Sequence, residues 1–208
     1  MRLRFVALAL GVTLAAAAGS LEAEPPHPAS GFTLYSAQGI DTTLPDFPQE
    51  VAGGALEWDK SYFTGVGYTF GTPTPGILDR AFRALRAYGA STGVELIEVK
   101  HRGLQSHLES TVAYRINSPY WYMGPVASRF GYSLGLSYGH DLPRYERAPD
   151  GDRERLLTYM AYELEFRLRD IDRVSLVTRL HHRSGAYGLL APRGAGSNFL
   201  AFGVRMHW

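Results

Sequence analysis

Over much of this chain apolar residues recur at every second position, and the intervening positions are small or charged. A strand turns successive side chains to opposite faces, so this period marks half-apolar strands. The clearest case is the C-terminal stretch. In residues 174–184, Val174, Leu176, Thr178 and Leu180 share one face, and Ser175, Arg179 and His181 share the other, with Val177 its one apolar member. In residues 198–208, Leu200, Phe202, Val204, Met206 and Trp208 oppose Ala201, Gly203, Arg205 and His207. The same alternation appears over 61–70, 107–116, 129–138 and 155–168, and further strands are predicted over 31–37 and 93–101. That makes eight.

Between these runs the period changes or disappears. Residues 39–60 read as a loop, as do 139–153. Residues 117–128 read as a turn carrying the aromatic cluster Tyr120, Trp121 and Tyr122, which suits an interfacial belt if the chain sits in a membrane. Over 77–88, Leu78, Phe82, Leu85 and Tyr88 recur at helical spacing, and Arg80, Arg83 and Arg86 lie elsewhere around the wheel. This predicts one short helix in a connection. The first residues read as a secretory signal: Arg2 and Arg4, an apolar run from Phe5 to Ala18, then small residues before a cleavage site at Leu21-Glu22-Ala23. The expected organisation is a signal peptide over 1–23 and a single domain over 24–208.

The alternation has two solutions, a soluble sandwich with the apolar faces inside or a barrel with them outside. The apolar faces are rich in Tyr, Phe and Leu, and the opposite faces in Gly and Ser, as a narrow filled lumen requires. The last strand ends on Trp208, which is similar to the signal that outer-membrane barrels present to the barrel assembly machinery. The expected fold is therefore all-β, an eight-stranded antiparallel transmembrane barrel. Glu109, Arg115, Glu163, Glu165, Arg167, Arg179 and Arg205 would then pair inside it, because buried charges need partners. A net charge of +1 points to no nucleic acid or polyanion partner, and the absence of cysteine excludes disulfides and thiolate metal sites. No His, Asp and Glu group shows ligand spacing in sequence, so neither metal nor cofactor is expected.

The apolar face of 174–184 continues to His182 and Ser184, and that of 198–208 begins at Asn198. One apolar surface thus carries a base, a hydroxyl and an amide at one end of two neighbouring strands. With both termini periplasmic, that end is extracellular, beside the outer leaflet. This is the make-up of a serine hydrolase whose substrate arrives from the hydrophobic side. The rival is a non-catalytic structural or adhesive barrel in which these residues are ordinary interfacial polar groups.

At His182-Arg183-Ser184 the chain resembles a known family. Residues 180–202 (LHHRSGAYGLLAPRGAGSNFLAF), with GLSYGHD at 135–141 and LLTYMAYELEF at 156–166, look like the outer-membrane lipid A 3-O-deacylases, or acyloxyacyl hydrolases. The resemblance covers about the last 110 residues, and the eight-strand plan extends it to the whole mature chain. It implies an eight-stranded barrel that removes the ester-linked acyl chain at the 3-position of lipid A in the outer leaflet, with Ser184 as nucleophile and His182 as base. Two positions depart from the family. Gly185 stands where the family has an oxyanion-stabilising Asn, leaving the Gly185 or Gly188 backbone N–H groups as candidate donors. Asn198 stands at the best-aligned position of the family's Glu. An Asn can hold an imidazole tautomer, as it does in Cys-His-Asn hydrolases. Outer-membrane phospholipase A resembles the Ser, His and Asn set, but its twelve strands need a longer chain.

Overall fold

The computed structural model describes residues 30–74, 76, 83, 86, 89–144, 146, 153–192 and 194–208. Nine strands form in chain order: β1 (Gly31–Ile40), β2 (Trp58–Gly71), β3 (Ser91–Gly103), β4 (Leu108–Asn117), β5 (Trp121–Met123), β6 (Val126–Gly139), β7 (Leu156–Leu168), β8 (Val174–Ser184) and β9 (Gly196–His207). Each barrel strand pairs antiparallel with its chain neighbour, β9 pairs with β1, and β4 pairs with β6. These pairings close a ring of eight strands, with β5 a three-residue arm on β6. The first and last strands meet along β1 and β9, where Gly31 pairs with His207. Closure leaves no unpaired edge, which a strand assembly needs in order to cross hydrocarbon.

Alternation sorts the side chains as a membrane barrel requires. Leu176 is 62% and Phe202 58% exposed on the outer wall, whereas Arg179 and Arg205, one strand position away in parity, are 1% and 2% exposed inside. An exterior of Leu, Val, Phe, Tyr and Trp around a charged interior is stable in lipid, and the chain is a transmembrane β-barrel of the bacterial outer-membrane kind. Leu180 has outward parity but is buried, its cross-strand partners being Tyr162 and Leu200. Val177 faces inward and joins the apolar part of the lumen with Tyr35, Phe63 and Phe199.

The lumen is filled by charge pairs. Glu163 accepts from Arg115 (2.5 Å), Arg179 (2.8 Å) and Arg205 (2.6 and 3.0 Å). Glu165 accepts from Arg129 (2.9 and 3.0 Å) and Arg205 (2.6 Å), and Glu95 from Arg179 (2.6 Å). Arg167 lies over the Tyr120 ring, 4.2 Å from its centroid. Glu109 takes histidine partners, His101 at 2.7 Å and His181 at 3.0 Å.

Two connections differ from expectation. The stretch read as a loop between β1 and β2 contains α1 (Phe47–Gly53), with Pro48 in its first turn and Gly54 closing it in the left-handed region at φ 66°. None of its residues is buried, so it has no apolar stripe to reveal it. The turn over 117–128 contains the β5–β6 hairpin, whose Trp121 is on the outer wall while Tyr120 turns into the lumen and donates to Glu165 (2.8 Å). The expected helix over 77–88 lies, apart from Arg83 and Arg86, outside the described residues, as do the signal peptide and its cleavage site.

Candidate functional site

β8 and β9 run in continuous register up to the connection between them. His182 pairs with Asn198 and Ser184 with Gly196, with no bulge between. Unbroken parity therefore sends His181 inward and His182 outward. His181 lies in the lumen against Phe63 (ring centroids 5.0 Å) and Glu109, and it is 1% exposed. His182 and Ser184 are half-buried on the outer wall, flanked across β7 by their partners Met160 and Thr158.

The hydrogen bonds around Asn198 fix the histidine tautomer. Asn198 Nδ2 donates to the Thr42 carbonyl at 2.5 Å, and that carbonyl can only accept. The amide is thereby oriented with Oδ1 toward His182, 2.6 Å from Nδ1. Since Oδ1 also only accepts, the proton sits on His182 Nδ1 and the Nε2 lone pair is left for a substrate-side proton. The support comes from the segment after β1, so three parts of the chain meet here: β8, β9 and residue 42. Ser184 Oγ is on the same face two residues further on, and no hydrogen bond joins it to His182. The Ser184 carbonyl accepts from Thr158 Oγ1 at 2.8 Å, which ties the end of β8 to β7.

The β8–β9 connection explains the glycine after the serine. A Cβ at Gly185 would stand 2.4 Å from the Ala191 carbonyl oxygen and 2.8 Å from its carbon, so the loop excludes an Asn there. Neither expected oxyanion donor is free in this structure. The Gly185 N–H donates to Ala195 O (3.1 Å) and the Gly188 N–H to Gly185 O (3.2 Å). Between them Ala186 (φ 51°) and Tyr187 (φ 57°) are in the left-handed region, a strained conformation for residues with side chains. The loop tip is apolar and open, with Tyr187 93% and Leu189 81% exposed beside the site.

A second serine–histidine pair was not visible in the sequence. Ser110 Oγ and His140 Nε2 are 2.7 Å apart on the exposed outer rim, thirty residues apart in the chain. Only the barrel's closure between β4 and β6 brings them together, so no local spacing signals them. No carboxylate or amide side chain is hydrogen-bonded to His140 among the described residues, so nothing fixes its tautomer. Glu98 is the cross-strand partner of Ser110, and its side chain is hydrogen-bonded to neither Ser110 nor His140. A separate group, His101, His107 and Glu109, has metal-ligand composition but lies inside the lumen.

No protein-family model matches the chain, and no curated protein matches it. Solved structures do. The outer membrane enzyme PagL is 9% identical with a TM-score of 0.52, the match covering 85% of this chain and 99% of that one. Neisserial surface protein A is 9% identical with a TM-score of 0.48, covering 86% and 97%. The outer membrane protein OprG from Pseudomonas aeruginosa is 12% identical with a TM-score of 0.37, covering 88% and 98%. At these identities the likeness is one of fold: the chain has the eight-stranded barrel of bacterial outer-membrane proteins.

Proposed function

We propose that this protein is a serine esterase of the outer membrane that removes the 3-position ester-linked acyl chain from lipid A of lipopolysaccharide. The observation that carries this reading is the Asn198 bridge from the Thr42 carbonyl to His182 Nδ1, which leaves His182 Nε2 as a base two residues from Ser184 on the lipid-facing wall. Substrate lies in the outer leaflet and reaches the wall laterally, past the apolar tip of Tyr187 and Leu189. Seating the ester closes Ser184 Oγ onto His182 Nε2, a contact that unliganded enzymes commonly leave long. His182 takes the Ser184 proton as Oγ attacks the acyl carbonyl. The imidazolium returns that proton to the departing sugar oxygen, and an acyl-serine remains. Water, deprotonated by His182, then releases the fatty acid and restores Ser184. The oxyanion is met by backbone N–H groups of the Gly185–Gly188 turn, whose strain at Ala186 and Tyr187 is relieved as the turn opens and frees them. Insertion depends on the barrel assembly machinery, which reads the aromatic end of β9.

Mass spectrometry of lipid A from cells with and without the protein tests the activity. Ser184→Ala and His182→Asn each abolish acyl loss, while Ser110→Ala and His181→Asn keep it. Loss confined to Ser110→Ala would move the nucleophile to the other rim pair. Equal losses in the two histidine variants would mean that the strand register does not select the base. Acyl release from glycerophospholipid vesicles but not from lipid A would favour a phospholipase-type esterase. Unchanged lipids in every arm would leave a structural or adhesive barrel.

A further inference from the structure

The outer half of the lumen holds a buried cluster that the proposed esterase does not use. One donor atom from each of His101, His107 and Glu109 lies within 4.8 Å of the others, and the three residues are 0%, 2% and 0% exposed. We propose that this cluster binds a divalent transition-metal ion of the zinc type, clamping the β3–β4 hairpin at the mouth of the barrel.

The independent observation is a set of buried polar atoms without partners. Both ring nitrogens of His107 are buried without any hydrogen-bond partner, and so is Gln105 Oε1. Gln105 Nε2 is 3.1 Å from His101 Nδ1, so its vacant oxygen belongs to the same cluster. A buried polar group without a partner calls for a ligand that supplies one. A neutral imidazole keeps one N–H, so His107 offers one vacant lone pair and Gln105 Oε1 another, and a cation satisfies both.

Charge favours a cation as well. Glu109 and Glu146 face the single guanidinium of Arg183, whose Nε is 3.7 Å from Glu109 and whose Nη1 bonds Glu146. Two imidazoles and one carboxylate are the donor set of zinc-type ions, whereas magnesium and calcium require mostly oxygen. The His101 and His107 rings stack at 4.4 Å with an interplanar angle of 15°, so their in-plane lone pairs lie in near-parallel planes and do not converge on one point. Ligation therefore requires the His107 ring to turn, and no side-chain hydrogen bond holds it. His181, 3.0 Å from Glu109, remains to orient the carboxylate.

The test is calorimetric titration of Zn2+ into the chelator-stripped, folded full-length barrel in detergent. The expected result is saturable binding of one ion per chain, undiminished by a large excess of Mg2+. His107→Ala weakens it by about tenfold or more, and Glu109→Gln does the same. His140→Ala, on the exposed rim, leaves it intact. If Glu109→Gln fails to fold, His107→Ala still decides, because that side chain contributes no hydrogen bond to the barrel. Absence of saturable binding, binding that survives His107→Ala, or binding lost with His140→Ala would overturn the proposal.

Discussion

Asn198→Ala removes the acceptor on which the His182 tautomer rests. In the resting protein the bond is between neutral groups, 2.6 Å from Nδ1 to Oδ1. During attack by Ser184 the ring becomes an imidazolium, and the same bond becomes charge-assisted. A hydrogen bond to a charged group is worth about 1.5–3 kcal/mol. The neutral bond at rest is worth about 0.5–1.5 kcal/mol, so only an increment of about 1–1.5 kcal/mol is lost from the barrier, and at about 1.36 kcal/mol per factor of ten acyl transfer slows about 5- to 13-fold. The interaction strengthens only as charge develops, so the deficit falls on kcat and leaves KM nearly unchanged. Asn198→Asp separates orientation from charge. It offers the imidazolium a stronger acceptor, but the Thr42 carbonyl, 2.5 Å from Asn198 Nδ2, then faces an oxygen with no proton between them. Its turnover should lie between those of wild type and the alanine variant. The assay is fatty-acid release from lipid A in mixed vesicles, followed by mass spectrometry over a range of substrate density. An alanine variant with wild-type kcat would refute the orienting role of Asn198, and with it the main support for His182 as base.

Two further outcomes rest on the barrel itself. Glu163→Gln leaves Arg115, Arg179 and Arg205 around a neutral amide, and breaking a buried ion pair from one side costs about 3–5 kcal/mol; urea unfolding followed by tryptophan fluorescence should show a loss of that size, and one below about 1 kcal/mol would mean that the lumen tolerates unpaired guanidinium groups. Gly185→Asn, which installs the residue of the resembling family, should destabilise the rim by about 1–3 kcal/mol and lower activity, because its Cβ would meet the Ala191 carbonyl at 2.4 Å. Raised activity in that variant would show that the loop adapts around the side chain.

What could be read from the chain follows from how local each signal is. The barrel was legible because its rule is a period of two, and six strands between Tyr62 and Met206 obey it; β3 does not, since Ile97 and Val99 face the lumen while Glu98 and Lys100 are exposed. Parity also separated His181 from His182, since no bulge interrupts β8. Parity alone could not show what Asn198 does. Its orientation depends on the Thr42 carbonyl, 156 residues away, and no spacing encodes that contact. The lumen was legible as a set of charges but not as a set of pairs. Glu95 and Arg129 were absent from the expected set, yet they complete the network with Arg179 and Glu165. Glu146 was hidden for another reason. It lies in a polar stretch, and its contacts with Arg183 and with Ser197 Oγ (2.5 Å) join positions 37 and 51 residues apart in the chain. The helix α1 escaped notice because a short helix with no buried face carries no periodic stripe.

The distribution of charge across the wall gives a reason for an amide rather than a carboxylate at Asn198. Inside, each buried carboxylate is matched by guanidinium or imidazole groups, as Glu163 is by three arginines. The site on the outer wall has no such company. Its residues, His182, Ser184 and Asn198, are all neutral at rest, and Asn198 is 8% exposed in a wall that faces hydrocarbon. A carboxylate there would have to be desolvated with only one partner that becomes positive, and only transiently. An amide avoids that cost and still accepts from Nδ1, while its second donor meets the backbone at Thr42. The consequence is a base whose orientation is secured by hydrogen bonding alone and whose positive charge is stabilised less than a carboxylate would stabilise it. Such a site favours an ester over an amide substrate, because an alkoxide leaving group demands less of the base than an amine does. The chemistry that this constellation can perform and the acyl esters of an outer-leaflet lipid therefore agree.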